Sequence, residues 1–277
     1  MKIDKERREH VRKLHTATHI LNYSSKKILG NHIWQNGSSI REDFATLDIT
    51  HYKNITIEEK IKIENLANKI VFLGKSVYIN EIDRNKAEKE YGYTIYQGGA
   101  VPTKKIRIVK IEDYDIEACG GLHVKNTNEI GIIKIFKIEK VQDGLIRLYF
   151  KVHKKALSEI NELDKVIEEL KEFYKVPKES IIKNSKKFFE NWKTAEKEKK
   201  ELKETLIKTY KNVLKSNEEL IVDNNLNLND LLEIVNNKEL KNVVVKNNNF
   251  IVTNKDEEII KNYKKILNKN GYKIYIL

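Results

Sequence analysis

Two short stretches carry residues whose types and spacing can do chemistry. HTATH, residues 15–19, sets His15 and His19 four positions apart, and on a helix such positions are neighbours on one face, so both imidazoles can aim at one point. Such a pair is weak by itself. CGGLH, residues 119–123, holds the chain's only cysteine, and a Gly-Gly turn lets the backbone curl until Cys119 and His123 face one ion. Three imidazoles and one thiolate are a ligand set that zinc accepts with tetrahedral geometry. A helical metalloprotease carries glutamate directly after the first histidine as general base. Here that position is Thr16, so peptidase chemistry is not expected. Four protein ligands make a closed site, which is normally structural. Three routes to catalysis stay open: one ligand yields to water, coordination expands to five with substrate, or the ion shapes the pocket while other groups activate water.

The elements that must position these residues follow from periodicity. Val11, Leu14, Ala17, Leu21 and Ile28 recur at helical spacing and Gly30 is a stop, which predicts a helix over residues 4–29 carrying both histidines. Thr56 followed three residues later by Glu59 starts a second helix, 56–75, with a capping box. SVYINEI, KKIRIVKI, EIGIIKIFKIEKV and LIRLYFKVH are alternating or β-branched and read as strands. The first half is therefore expected to be an α+β domain with an antiparallel sheet.

From residue 153 the texture changes. Ala156, Ile160, Leu163, Ile167, Leu170 and Tyr174 form one heptad-like seam. After Pro177 the positions Ile181, Phe188, Trp192, Ala195, Leu202, Leu206 and Val213 form a longer one. The second helix, about 38 residues, would run roughly 57 Å, about twice the first. Pairing the two as a hairpin leaves part of the longer seam uncovered, so a homodimer is the simplest expectation. The tail then reads as helix (LNDLLEIV), hairpin (LKNVVVKNNNFIVTN), lysine-studded helix (DEEIIKNYKKILNKNG, stopped by Gly271) and strand (YKIYIL), a small α/β domain.

Length and charge bound the function. At 277 residues, two domains are expected. A net charge of +12, mostly from lysine, favours a polyanionic partner, nucleic acid first among them. No apolar run is long enough to span a bilayer and no signal peptide is evident, so a cytoplasmic location is expected.

HTATHILN, IWQNGS, LDITHY, YQGGAVP, ACGGLH and VQDGLIRLYF, in this order and spacing, resemble the editing domain of alanyl-tRNA synthetase in its archaeal form. The likeness covers about residues 5–152, and the rest is more loosely similar to that enzyme's C-terminal domain, which pairs subunits and touches tRNA. The resemblance implies a zinc-dependent editing domain over 1–152, a helical hairpin or coiled-coil dimerisation region over 153–217, and a small tRNA-contacting α/β domain over 218–277. It implies hydrolysis of the ester joining serine or glycine to tRNA for alanine. His15, His19, Cys119 and His123 match the family's zinc ligands, Gln35 its pocket glutamine, and Thr16 shares the zinc helix; these two are the candidate catalytic residues. Gly98 and Gly99 are candidates for the wall near the terminal adenosine. Leu122 stands where the family usually has threonine. No aminoacylation core is recognisable, so a fragment, a separately encoded subunit working with an aminoacylation chain, and a stand-alone editor are all open. The alternative from another class is a non-enzymatic tRNA-binding and assembly subunit with structural zinc.

Overall fold

The computed structural model describes residues 4–97, 99, 103–214, 219–222, 224–235, 244–253, 264–269 and 272–276. The chain divides into two compact units, Met1–Phe173 and Tyr174–Leu277.

In the first unit α1 (Lys5–Leu29) starts where an Asp4 carboxylate oxygen accepts from the Arg7 amide, and ends at Gly30. There φ is +118°, a conformation open to glycine. α2 (Ile57–Phe72) carries the expected capping box, with both reciprocal bonds between Thr56 and Glu59 formed. β1 (Gln35–Ile40), β2 (Ala45–Thr50), β6 (Ile133–Gln142) and β7 (Leu145–Val152) make a four-stranded antiparallel sheet in the order β1-β2-β7-β6. β3 (Val77–Asp83), β4 (Lys105–Ile111) and β5 (Asp115–Ala118) make a second, three-stranded antiparallel sheet, which packs with α3 (Arg84–Tyr91). The α+β class with antiparallel sheets stands as expected.

The strand predicted from residue 129 starts later. Thr127–Ile130 is a 3₁₀ turn capped by Asn126 and Glu129, and Gly131 at φ +80° breaks it before Ile133 begins β6. Leu14, Ala17 and Leu21 of α1, Ile63, Ala67 and Ile70 of α2, and Leu47, Leu148 and Phe150 of the sheet form one buried core. β5 lies beside α1. That contact brings the segment after residue 118 to the histidine face of the helix.

α4 (His153–Tyr174) begins directly after β7. In the second unit α5 (Ile181–Leu214) is 34 residues, about 51 Å at helical rise, shorter than the seam suggested. Residues Lys178–Ser180 after Pro177 form a separate 3₁₀ turn instead of its first turn. β8 (Glu219–Ile221), α6 (Leu228–Val235), β9 (Val244–Lys246), β10 (Phe250–Thr253), β11 (Lys264–Lys269) and β12 (Tyr272–Ile276) complete the chain. Their five-stranded sheet has the order β11-β12-β10-β9-β8, antiparallel except for the β8–β9 pair.

The helix at LNDLLEIV and the β9–β10 hairpin are as expected. The lysine-studded helix over 256–271 is corrected where it falls on described residues: 264–269 is strand, paired with β12. Lys269 pairs with Tyr272, which leaves Asn-Gly between the strands. That dipeptide is a sequence signal for two-residue hairpins, and the described strands on either side of it pair antiparallel. The rest of that predicted helix lies outside the described residues. Among the described residues no helix is long and apolar enough to cross a membrane.

Candidate metal centre

The helical face and the glycine turn meet as their spacing predicts. His15, His19, Cys119 and His123 each offer one ligand atom, and all four atoms lie within 4.8 Å of one another. The Cys119 Sγ sits 3.4 Å from Nε2 of both His15 and His123. His19 and His123 are nearly fully buried, at 2% and 5% exposure.

The partners of the outer ring nitrogens fix which nitrogen faces inward. Thr16 Oγ1 donates to the Arg12 carbonyl at 3.1 Å and accepts from the Val124 amide at 3.2 Å. Its hydroxyl proton is thereby used. The contact to His123 Nδ1 at 3.2 Å therefore has the ring N–H donating to the threonine oxygen. His19 Nδ1 donates to Asp115 Oδ2 at 3.0 Å, with Glu117 Oε2 at 3.2 Å, and Asn22 Nδ2 donates to the other Glu117 oxygen at 2.9 Å. Both rings thus present Nε2 to the thiol, the arrangement in which an outer partner orients a metal-binding imidazole.

The loop is held from two sides. Arg107 donates to the carbonyls of Cys119 and Gly121 at 2.6 and 2.7 Å, and Arg12 Nε to the His123 carbonyl at 2.9 Å. The two glycines differ. A Cβ at Gly121 would stand 1.6 Å from His15 Cε1, whereas at Gly120 it would meet nothing within 4 Å. Only the second glycine is required by space.

Electrostatics agree with a metal set. Burial acts to raise the Cys119 thiol, but its close contacts with His123, His15 and His19 prevail and bring it to about 3, so it is a thiolate. Burial lowers His123 to about 4 and leaves that ring neutral. Burial also opposes charge on His19, yet Glu117, then the hydrogen bonds to Asp115 and Cys119, raise it well above the ordinary histidine value. Burial, against the pull of His19, pushes Glu117 up to about 7. A buried thiolate, the neutral His123 ring and satisfied outer partners fit a borderline-soft divalent ion such as zinc.

The other expected site residues fall as follows. Thr16 is fully buried behind His123. Gln35 opens β1; its amide donates to the Gln97 side-chain oxygen at 3.1 Å, and its own Oε1 is buried with no partner among the described residues. Gly99 has φ +136° and open space around it, while Gly98 lies outside the described residues. Leu122 is 37% exposed.

Asp115, Glu117 and Asn22 were not anticipated. Their signal was present: Asp115 and Glu117 are two apart on a strand, hence on one face, and Asn22 follows His19 by one helical turn. Beside Asp115 a cleft of about 580 Å³ is lined by Asn22, Tyr23, Lys26, Lys27, Tyr114 and Gln97, among others.

The unit that holds this cluster is similar to an accessory domain of tRNA synthetases. Residues 106–149, which span β4 to β7, match the family described as the threonyl and alanyl tRNA synthetase second additional domain. Over most of its length the chain is homologous to alanine–tRNA ligases. It is 39% identical to that of Methanococcus vannielii over 269 residues, 93% of the chain and 30% of the relative. Identity is 42% to those of Methanocella arvoryzae, over 74% of the chain, and Thermococcus kodakarensis, over 75%, with 23% of each relative covered. The chain spans less than a third of the length of these curated relatives.

Proposed function

We propose that the chain is an editing hydrolase that removes serine or glycine from mischarged tRNA for alanine. The observation that carries this is the convergence of His15, His19, Cys119 and His123 within 4.8 Å, overlapping the matched synthetase domain and beside a basic, tyrosine-lined cleft. His15, His19, Cys119 and His123 would hold zinc, which would supply a fixed positive charge at the pocket. The ester of an aminoacyl-tRNA is already activated, so positioning it against water and stabilising the developing oxyanion suffice without a covalent nucleophile.

The protein's own groups do the positioning. Lys26 and Lys27 line the cleft and suit phosphates. Gln97 joins the cleft wall to Gln35, whose unpartnered Oε1 accepts a hydrogen bond from the serine hydroxyl or the substrate ammonium. Alanine has no side-chain hydroxyl to return that bond, which separates it from serine; glycine is accepted for its small size. Thr16 acts as a positioning residue through His123. The test is deacylation of serine, glycine and alanine esters of tRNA for alanine, with and without chelator. Loss of the serine ester with retention of the alanine ester is expected; zinc-loaded protein that leaves the serine ester intact refutes the hydrolase.

A second reading has its own support. On α5, Ile182, Phe188, Trp192 and Leu202 are each more than half exposed, at 68%, 63%, 53% and 71%. This favours association, either as a homodimer or with a separate aminoacylation chain, in which the present chain captures tRNA. Binding that falls steeply with salt, without turnover, is its signature.

A further inference from the structure

We propose that His32, His51 and Tyr52 form a stacking platform for an unpaired nucleobase of RNA, outside the metal centre and its cleft. The proposal rests on the tRNA reading and names a second contact for the same substrate class. The three rings form one cluster: His32 and His51 stack with centroids 5.1 Å apart and planes at 19°, and Tyr52 lies 5.3 and 5.0 Å from them. Tyr52 is 74% exposed and rests on one buried ring, His51 at 3% exposure, with His32 itself exposed beside it.

The support is rigid. His32 Nε2 and His51 Nδ1 share a 2.9 Å hydrogen bond. Thr50 Oγ1 donates to the His32 carbonyl at 2.7 Å and accepts from the Trp34 amide at 2.9 Å, which ties the approach to β1 against the end of β2. A flat ring held in this way loses little entropy when another ring stacks on it, whereas an exposed tyrosine on a free loop would lose more.

Charge selects the partner. Lys26 and Lys27, in the last turn of α1, line the cleft together with Gly30 and Asn31, and the chain passes from there into His32. Among the described residues no carboxylate pairs with either lysine. Lys26 Nζ lies 6.0 Å from the Trp34 ring centroid, and Gly30 backs so closely on the His32 ring that a Cβ there would meet Nδ1 at 3.1 Å. Cations for phosphates beside an exposed ring for a base are the two components of single-strand recognition. A base inside a duplex has both faces covered by its neighbours, so the guest is an unpaired nucleotide next to the segment in the cleft.

The test compares a hairpin RNA bearing a short unpaired 3′ tail with the same hairpin blunt-ended. Binding to the full chain is followed by anisotropy, and 2-aminopurine placed in the tail reports stacking by loss of fluorescence. Wild type is expected to prefer the tailed hairpin and to quench the probe. Tyr52→Ala should bind the tailed RNA about tenfold more weakly with quenching lost, as expected for one lost stack, and the blunt RNA unchanged. Tyr52→Phe should behave as wild type. Equal zinc content across the variants shows that the metal centre is intact. Tyr52→Ala that binds and quenches like wild type overturns the platform, as does Tyr52→Phe that loses as much as the alanine variant. Wild type that ignores the tail overturns it too. Absence of deacylation with the tail preference intact removes the hydrolase and leaves the platform standing.

Discussion

At the His15–His123 cluster, outer ring nitrogens, loop carbonyls and carboxylates find partners inside the first unit. Along α5, Phe188, Trp192 and Leu202 stand more than half in solvent. A buried polar atom without a partner costs about 1–3 kcal/mol, so a buried polar cluster is stabilised chiefly by what its own chain supplies. An exposed apolar stripe costs far less and can wait for a second surface. Chemistry is thus expected to be intrinsic to the first unit, and association to depend on what α5 meets.

Variants on each side test that division. Cys119→Ala should have the largest effect, abolishing zinc retention by elemental analysis and deacylation together, a loss beyond the ~10–100-fold that removal of an outer partner costs. Gly121→Ala should come next. The added methyl overlaps the His15 ring, so metal affinity by competition with a chromophoric chelator should fall by more than tenfold while Gly120→Ala stays near wild type; equal behaviour of the two would refute the steric claim. Glu117→Gln keeps the bond to Asn22 within reach but weakens the hold on His19, and should lower metal affinity about tenfold, the lower end for an outer partner. Trp192→Glu should leave zinc and deacylation unchanged and weaken self-association about fivefold by sedimentation, as for a modest interface residue. If it released zinc, or if wild type sedimented as a monomer, the separation drawn between the regions would fail.

The four proposed ligands were legible because their signals are local: an i,i+4 pair on a helix and a glycine turn between cysteine and histidine. The outer partners were less so. Asp115 and Glu117 sit on one face of β5, but their target, His19, lies 96 and 98 residues away for Asp115 and Glu117, and only the packing of β5 on α1 reveals the pairing. β1 and β2 were not anticipated either. QNGSSI has no apolar alternation, and its strand character comes from hydrogen bonding to the buried ATLDIT segment of β2. At β11 lysines at helical spacing competed with an Asn-Gly hairpin signal, and pairing with β12 decided the outcome.

The grip of Arg12 and Arg107 on the loop carbonyls has a kinetic consequence. Because the loop and both outer nitrogens are fixed by the chain itself, ion capture needs no ordering step, and little affinity is spent on arranging the ligands. Exchange is then governed by escape from a preformed cage.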